Sequence, residues 1–293
     1  MARPRVHEAA GVPAEIEQEL SASFDLSGTP QGAAGLITTP AVRVDSAFLD
    51  DVGPQLRIVA NYAVGLDNID RDETRARGIV VSNTPGVLTN ATAEHAVGLM
   101  LGLLRRIVEG DRALRRREAW EWGPDFMVGA GLEGMHVLVV GPGRIGTRVA
   151  ELARAHGAET SFAGRHDDLR AAVALADVVT LHCPLTPETH HLIDAEVLAV
   201  MKPAAVLVNT ARGPVVDEAA LVRALQRDEL AGAALDVFEH EPVVSEELLE
   251  LENVVVTPHI ASATHATRHA MGMLVVSALR AVLLEDRIPE NAV

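Results

Sequence analysis

The sequence predicts an α/β protein with two doubly wound parallel-sheet domains. Two series of short apolar runs alternate with polar, helix-like stretches, and this alternation is typical of parallel strands joined by crossover helices. The first series fills the first ninety residues, and a second, more regular series begins at Met135. With 293 residues, the chain is long enough for two domains.

The first series combines strands with helices that open on an aspartate. β-Branched runs flanked by glycine or polar residues predict strands at Leu36–Thr38, Leu56–Asn61 and Gly78–Val81. The stretches between them each begin with an Asp that is suited to an N-cap, so they predict helices at Asp45–Val52 and Asp70–Arg77.

The second series predicts a larger sheet that lies between two long helices. Its strands are expected at His136–Val140, Glu159–Ala163, Val178–His182, Ala205–Asn209, Ala233–Val237 and Val254–Thr257. Apolar residues at helical spacing predict the long helices at Thr92–Arg117 and about Ala266–Leu284.

The composition argues against several classes of protein. The formal net charge is −16, and an acidic surface repels nucleic-acid phosphates and anionic lipids, so neither partner is expected. The apolar run Val97–Leu104 is far shorter than the ~20 residues that span a bilayer. Cys183 is the single cysteine, which excludes an intrachain disulfide and suits a reducing compartment. We therefore expect a cytoplasmic protein without a membrane segment.

A GxGxxG pattern stands where a predicted strand meets a predicted helix, at Gly141–Gly146. Gly141 permits a tight turn, Gly143 lets the backbone approach a pyrophosphate, and Gly146 lets the helix pack closely on the strand. A glycine-rich turn without a ligand is the alternative interpretation. The strand before the pattern and the helix after it favour a dinucleotide site.

The end of the following strand bears on which dinucleotide binds. NAD sites place an acidic residue there, about 20 residues further on, to bind the ribose 2′-hydroxyl. In this chain Gly164 occupies that place and Arg165 follows, and a guanidinium can bind a 2′-phosphate. Asp167 and Asp168 lie beyond and are typical of a helix N-cap. The pattern favours NADP(H) over NAD(H), the alternative being that Arg165 is a surface arginine.

Three polar residues follow the carboxyl ends of predicted parallel strands, where open α/β sheets bind ligands. They are Arg212, Glu241 and His259. An arginine can bind a carboxylate through two N–H groups, a histidine can transfer a proton, and a carboxylate can orient that histidine. Each residue taken alone is also typical of a solvated loop. No metal-ligand spacing is present, so no metal is expected.

The sequence resembles the D-isomer-specific 2-hydroxyacid dehydrogenases over nearly its whole length. Besides the glycine pattern, the resemblance rests on Val64–Asp70, Thr92–Ala96, Leu181–Thr189, Asn209–Gly213, Leu235–Pro242 and Thr257–Ser262. The spacings of 29 and 18 residues fit the family's Arg–Glu–His triad and select Glu241 rather than Glu239 as its acid. Within the family the chain looks most like the glyoxylate/hydroxypyruvate reductases, on Gly164-Arg165, Ser262–Arg268 and Trp120–Trp122.

The resemblance implies three sets of site residues. The catalytic set is Arg212, Glu241 and His259. The cofactor set is Thr92, Gly141, Gly143, Arg144, Ile145, Gly146, Arg165, Cys183, Pro184, Thr189, Thr210, Ala211, Asp236, Ala261 and Ser262. The substrate set is Val64, Gly65, Arg212 and Trp122. Trp122 has a second interpretation, as an anchor of a dimer interface that does not touch substrate.

The family fold implies a Rossmann dinucleotide-binding domain, residues 90–264, inserted into a flavodoxin-like substrate domain, residues 1–89 and 265–293. The implied activity is NAD(P)H-dependent reduction of a glyoxylate- or hydroxypyruvate-type 2-oxo acid to the D-2-hydroxy acid, with His259 as the proton donor, in a homodimer. One alternative is another 2-oxo acid, such as phosphonopyruvate or phenylpyruvate. Another is a dinucleotide-sensing interaction protein of the corepressor type.

Overall fold

In the computed structural model, which describes residues 2–293, the chain divides into two units. The first unit comprises Met1–Leu88 and Ala263–Val293, and the second unit is Thr89–Ser262. The second unit is thus inserted into the first, and its limits lie within two residues of the predicted boundaries. No helix in the described part of the chain is both long and apolar enough to cross a membrane.

The first unit is built on five strands, β1 (Arg5–Glu8), β2 (Asp25–Ser27), β3 (Gly35–Thr38), β4 (Ile58–Asn61) and β5 (Val80–Ser82). They pair in the order β2-β1-β3-β4-β5, and every pair is parallel. This is the strand order of flavodoxin-like folds, as the resemblance implied. The residues of β3 and β4 are buried throughout, which explains their nearly continuous apolar sequence.

Four helices cover this sheet, α1 (Ala14–Ser21), α2 (Ser46–Val52), α3 (Arg71–Ala76) and the long α11 (His265–Leu283). The predicted aspartate caps are present. The side chain of Asp45 accepts the N–H of Phe48 at 3.1 Å, and that of Asp70 accepts the N–H of Glu73 at 2.9 Å. Each cap satisfies an N–H that the helix itself leaves unpaired, so the sequence fixes where α2 and α3 begin.

The second unit has six strands, β6 (His136–Val140), β7 (Glu159–Ala163), β8 (Val178–Leu181), β9 (Val206–Asn209), β10 (Gly232–Leu235) and β11 (Val254–Val256). They form one parallel sheet in the order β11-β10-β9-β8-β6-β7. Its helices are α4 (Thr89–Leu104), α5 (Ile107–Arg115), α6 (Arg144–Ala155), α7 (Leu169–Val173), α8 (Ala195–Leu198), α9 (Glu218–Gln226) and α10 (Glu246–Leu249).

The strand order places a topological switch point between β6 and β8. The chain leaves β6 outward to β7 and returns to β8 on the other side of β6. Ligands of open α/β sheets bind beyond the carboxyl ends of the strands at such a point. The glycine pattern follows β6 directly, so the fold puts it at this edge of the sheet.

The structure corrects the expected long helix Thr92–Arg117, which is two helices. It breaks at Arg106, whose φ of 53° is left-handed. The cause is a tertiary contact that propensity does not encode. The N–H of Ala130 binds the carbonyl of Leu104 at 2.8 Å, and a Cβ on Gly129 would lie only 2.3 Å from that oxygen. The returning chain thus takes up the last carbonyl of α4 and ends the helix.

The structure also shows three elements of the first unit that the sequence did not predict, β1, β2 and α1. β1 and β2 are short and only partly buried, so they lack a clear apolar period. Only Ile16 and Leu20 of α1 are buried, which gives too few apolar positions for a pattern. Helix α1 packs instead on α11, a contact far apart in the chain.

A glycine of α11 marks this contact, and its substitution is the first testable expectation. A Cβ on Gly272 would lie 2.4 Å from Cγ1 of the fully buried Ile16. We expect Gly272→Ala to destabilise the first unit by about 1–2 kcal/mol, because overpacking outweighs the ~1 kcal/mol gain in helix propensity. Gly98→Ala in α4 is the control, since a Cβ there meets open space and should be neutral or stabilising. Urea unfolding followed by circular dichroism measures both, and equal effects would contradict the packing argument.

Candidate active site

The glycine loop after β6 leaves no room for side chains at two of its three glycines. Gly141 has φ +98°, and a Cβ there would lie 2.7 Å from the N atom of Cys183. A Cβ on Gly146 would lie 2.2 Å from the carbonyl oxygen of Gly141. A Cβ on Gly143, in contrast, meets no atom of residues 2–293 within 4 Å, so the backbone at Gly143 faces open space.

This geometry fits the pyrophosphate of a dinucleotide. Gly143 caps α6 without a side-chain hydrogen bond, and the helix continues with Arg144 and Ile145. The first N–H groups of such a helix point at the space before it, and the helix dipole favours an anion there. The bare backbone at Gly143 lets an anion approach these groups closely. The structure thus brings the predicted glycine-loop residues together between the end of β6 and the start of α6.

Residues Cys183, Pro184 and Thr189 lie in the loop after β8, next to the glycine loop. The hydroxyl of Thr189 donates to the carbonyl of Pro184 at 2.7 Å and accepts the N–H of Thr186 at 2.8 Å, which stabilises the loop. Burial raises the pKa of the Cys183 thiol, so it is protonated at neutral pH. Burial also lowers the pKa of His182 to about 3, so its imidazole is neutral at pH 7.

The loop after β9 carries Thr210, Ala211 and Arg212. The side chain of Asn209 holds it from both sides, since Oδ1 accepts the N–H of Ala211 at 3.0 Å and Nδ2 donates to the carbonyl of Arg212 at 2.9 Å. The hydroxyl of Thr210 is buried and has no hydrogen-bond partner within residues 2–293. Such an orphaned group at a strand end is typical of a site that a ligand completes.

Gly213 brings this loop against the segment that follows β10. A Cβ on Gly213 would lie 1.8 Å from the carbonyl oxygen of Phe238 and 2.5 Å from the N atom of Glu239. Only glycine permits this approach. Arg212 and Glu241 therefore stand on two loops in direct backbone contact, and the side chain of Arg212 donates to the carbonyl of Ala211 at 2.8 Å.

Glu241 and His259 are in contact. Nδ1 of His259 lies 2.7 Å from Oε2 of Glu241, and both side chains are about one-third exposed. The other carboxylate oxygen of Glu241 accepts the N–H of Phe238 at 3.0 Å, which fixes the orientation of the carboxylate. Because Nδ1 faces the carboxylate, Nε2 remains for an external partner.

Glu239 does not contact His259. Its Oε1 lies 2.7 Å from Nε2 of His191, and its Oε2 accepts the N–H of Glu218 at the start of α9. The ring of His190 stacks on that of His191. One nitrogen of each histidine and one carboxylate oxygen of Glu239 all lie within 4.8 Å of one another. The sequence did not predict this cluster, which forms only when the loop after β8 meets the segment after β10.

The fully buried carboxylate of Asp236 anchors the backbone around His259. Oδ1 accepts the hydroxyl of Thr257 at 2.6 Å and the N–H of Ile260 at 2.8 Å, while Oδ2 accepts the N–H of Ala261 at 2.8 Å. Burial alone raises the pKa of Asp236, but hydrogen bonds from His95, Thr257 and the two N–H groups outweigh it and leave the pKa below its usual value. The group is thus an anion at neutral pH.

His95 takes part in the same network, which the sequence reasoning missed. Its Nε2 lies 3.0 Å from the hydroxyl of Thr257 and 3.3 Å from Oδ1 of Asp236. The only sequence signal was the Thr92–Ala96 stretch of the family resemblance. Thr92, predicted to contact the cofactor, is buried in α4, and Ser262 lies at the end of the second unit.

Trp122 is 80% exposed and lies in an irregular segment after α5. Neighbouring large apolar side chains are exposed too, namely Ile107, Leu114, Trp120, Phe126 and Val128. Trp120 and Phe126 stack on each other at 6.0 Å between ring centroids. Solvent exposure of so many large apolar groups in one stretch of chain is typical of an interaction surface.

Val64 and Gly65 lie in the first unit, in the loop after β4, and hydrogen bonds from Thr84 and Asn83 orient their peptide N–H groups. The carbonyl of Ala63 accepts the N–H of Thr84 at 2.9 Å, and the carbonyl of Val64 accepts Nδ2 of Asn83 at 2.8 Å. Asn61 donates similarly to the carbonyl of Gly65 at 2.6 Å. In a trans peptide the N–H points away from the preceding carbonyl, so the N–H groups of Val64 and Gly65 point away from these anchors.

Within residues 2–293 neither of these two N–H groups has a hydrogen-bond partner. Two adjacent N–H groups held in this way can bind one anionic oxygen or the two oxygens of a carboxylate. The turn at Val64 and Gly65 thus presents two N–H groups that an anion could bind, and Asn83 is a support of this turn that the sequence did not reveal.

Comparison with known proteins agrees with this geometry. The family model described as D-isomer specific 2-hydroxyacid dehydrogenase, NAD binding domain, matches residues 97–261. The glyoxylate reductase of Thermococcus litoralis is 45% identical over 276 residues, which cover 88% of this chain and 82% of that protein. The glyoxylate reductase of Pyrococcus furiosus is 46% identical over 257 residues, covering 82% of this chain and 76% of that protein.

Solved structures show the same relationship. An NADPH-dependent glyoxylate/hydroxypyruvate reductase from Sinorhizobium meliloti, in complex with NADP and malonate, has a TM-score of 0.88 at 34% identity and covers 100% of this chain and 97% of its own. A protein from Thermus thermophilus has a TM-score of 0.92 at 40% identity, with 99% of both chains covered. The family model spans more than half of the chain, and the chain therefore belongs to the D-isomer-specific 2-hydroxyacid dehydrogenases, a family of oxidoreductases.

Proposed function

We propose that the protein reduces a small 2-oxo acid of the glyoxylate or hydroxypyruvate type to the D-2-hydroxy acid, with NADPH preferred to NADH. The observation that carries this proposal is the 2.7 Å contact between Nδ1 of His259 and Glu241 in a dinucleotide-binding unit. Relatives named glyoxylate reductase, at about 45% identity, support the choice of substrate class.

His259 is the proton donor of this mechanism. With Nδ1 held by Glu241, Nε2 carries the proton to the oxygen that becomes the hydroxyl group. Glu241 is the histidine's partner, because its negative charge favours the imidazolium that must form before the transfer. The bond from the N–H of Phe238 keeps the carboxylate directed at His259.

Arg212 binds the carbonyl oxygen and the carboxylate of the substrate, and it stabilises the negative charge that develops on that oxygen. Asn209 and Gly213 keep its loop in place. The N–H groups of Val64 and Gly65 bind the substrate carboxylate, a role supported by the orientation that the hydrogen bonds from Thr84 and Asn83 impose on them.

The bound dinucleotide supplies the hydride that reduces the carbonyl carbon. The glycine loop and the start of α6 would hold its pyrophosphate, and the loop 210–212 with Asp236 would line the nicotinamide. Arg165, exposed after β7, binds the 2′-phosphate of NADP(H). Its charge already acts on this region, because a hydrogen bond with Thr186 and, less strongly, Arg165 lower the pKa of Glu188.

The exposed apolar segment around Trp120 and Trp122 supports a homodimer, in which the same surface of two copies would be buried. In that arrangement Trp122 reaches the substrate pocket of the partner. Sedimentation at micromolar concentration measures whether the protein is a dimer. Trp122→Ala distinguishes the two roles of this residue. Loss of a substrate contact raises KM, whereas loss of an interface anchor weakens only the association of the two copies.

A panel of 2-oxo acids tests the substrate class. We expect glyoxylate or hydroxypyruvate to give the highest kcat/KM, compared with phenylpyruvate and phosphonopyruvate, when oxidation of NADPH is followed by absorbance. The D configuration of the product is checked by chiral chromatography. A higher kcat/KM for phenylpyruvate or phosphonopyruvate would show that the proposed substrate class is wrong. Binding of a dinucleotide without turnover of any acid would favour a dinucleotide-sensing protein.

The roles of His259 and Arg212 differ, so their variants should differ. His259→Ala removes the proton donor and should lower kcat by about 10²–10⁴-fold while dinucleotide binding survives. Arg212→Ala should raise KM as well, because the contact with the substrate carboxylate exists before the transition state. Steady-state kinetics with a separate dinucleotide titration distinguishes the two, and near-full activity of His259→Ala would exclude this mechanism.

The Glu241–His259 contact predicts the effect of removing the acid. Glu241→Gln keeps the acceptor for the N–H of Phe238 but removes the negative charge beside the imidazole, so kcat should fall about tenfold to a hundredfold while dinucleotide binding survives. Glu239→Gln is the control, because Glu239 contacts His191 instead. Equal kcat values for Glu241→Gln and the parent protein would show that Glu241 is not the histidine's partner.

Arg165 predicts the cofactor preference. Arg165→Ala should weaken the binding of NADPH about tenfold to a hundredfold and leave the binding of NADH nearly unchanged, because only NADPH has a 2′-phosphate that the guanidinium can bind. Arg170→Ala is the control, since Arg170 is exposed on the neighbouring α7 and pairs with Glu196. If the parent protein uses NADPH and NADH equally well, the proposed preference is wrong.

A further inference from the structure

We propose that Asp167 is a second determinant of cofactor choice, which acts against Arg165 by placing a carboxylate where NAD sites have their strand-end acid. This inference rests on the proposed use of a nicotinamide dinucleotide and deepens it. The sequence placed Asp167 only in a helix N-cap, and the structure gives it a different position.

Gly164 defines where a strand-end acid would point. It directly follows β7, and the end of β7 is tied to the glycine loop because the carbonyl of Ala163 accepts the N–H of Gly141 at 2.9 Å. A Cβ built on Gly164 would lie 3.8 Å from Cγ of Pro142. A side chain at position 164 would thus leave the backbone toward the glycine loop, which is the direction of the ribose in dinucleotide-binding folds.

The carboxylate of Asp167 lies beside that position. Its Oδ2 is 3.5 Å from the Cβ position of Gly164, about the reach of a short acidic side chain from that point. The N–H of Gly164 donates to the same oxygen at 2.7 Å and so fixes the carboxylate there. Since Gly164 has no side chain of its own, Asp167 supplies the negative charge from three residues further on.

The neighbouring Asp168 behaves differently. Its Oδ1 accepts the N–H of Ala171 at 3.1 Å, so Asp168 is the N-cap of α7. The two adjacent aspartates therefore have separate tasks: Asp168 starts the helix, and Asp167 folds back toward β7. The sequence alone does not assign these tasks, because the two aspartates stand two residues and one residue before the helix start at Leu169.

Arg165 and Asp167 then have opposite effects on the two cofactors. A carboxylate accepts the ribose 2′-hydroxyl of NAD(H) and repels the 2′-phosphate of NADP(H). The guanidinium attracts the phosphate and gains little from the hydroxyl. The ratio of the two affinities is set by the balance of these charges, and neither residue alone fixes it.

The test compares Asp167→Asn with Asp168→Asn. Both variants lose one negative charge at adjacent positions, and asparagine can keep either backbone hydrogen bond, so both should stay folded. Isothermal titration with NADP⁺ and NAD⁺, without substrate, gives the dissociation constants. The ratio of kcat/KM for NADPH and NADH with glyoxylate gives a second readout.

We expect Asp167→Asn to bind NADP⁺ about threefold to tenfold more tightly, because a negative charge that repels the 2′-phosphate is removed. The same variant should bind NAD⁺ about threefold to tenfold more weakly, because a neutral acceptor bonds the 2′-hydroxyl less strongly. Asp168→Asn should change both constants less than twofold. Equal shifts in the two variants would overturn the proposal, because they would reflect only the general loss of negative charge. Unchanged constants in Asp167→Asn would overturn it as well.

Arg165→Ala in the same titration separates this inference from the proposed NADP preference. If Arg165→Ala leaves NADP⁺ unaffected while Asp167→Asn still shifts the ratio, the preference proposed for Arg165 fails and the role of Asp167 stands. If the parent protein binds neither dinucleotide, both are wrong.

Discussion

The buried carboxylate of Asp236 is the contact on which the candidate site depends. It accepts hydrogen bonds from the N–H groups of Ile260 and Ala261, and the backbone carbonyl of Asp236 accepts the N–H of His259. These bonds hold His259 at φ +52°, a conformation that L residues adopt rarely and that needs support from its surroundings. Without this support the ring would lose its fixed orientation toward Glu241.

The strands of the second unit are parallel, so the loops that follow them all lie at the same edge of the sheet. The loops after β6 and β7 carry the glycine pattern and Arg165, whereas the loops after β9, β10 and β11 carry Arg212, Glu241 and His259. The net charge of −16 opposes the approach of any anion at long range. Groups that can attract an anion at this edge of the sheet, such as Arg212 and the N-terminus of α6, act only over a short distance.

The sequence predicted those parts of the fold and site whose signals are local. His136–Val140 and Glu159–Ala163 are strands with the predicted limits, and the caps at Asp45 and Asp70 start helices where expected. The glycine pattern was sufficient to locate the loop after β6, because Gly141 has a positive φ and Gly146 lies too close to the carbonyl of Gly141 for a side chain. The spacing of the family triad likewise placed Glu241 rather than Glu239 beside His259.

Other features depend on residues that meet only in the folded chain. The break at Arg106, the anchoring role of Asp236, the support from Asn83, and the distinct positions of Asp167 and Asp168 all require contacts between distant or differently turned segments. Periodicity, capping and glycine spacing act within a few residues of the backbone, so the sequence by itself determined the fold class, the dinucleotide loop and the candidate triad. The direction of a single side chain depends on which N–H or carbonyl group the rest of the chain brings near it. Only the tertiary structure therefore decided where these individual side chains point.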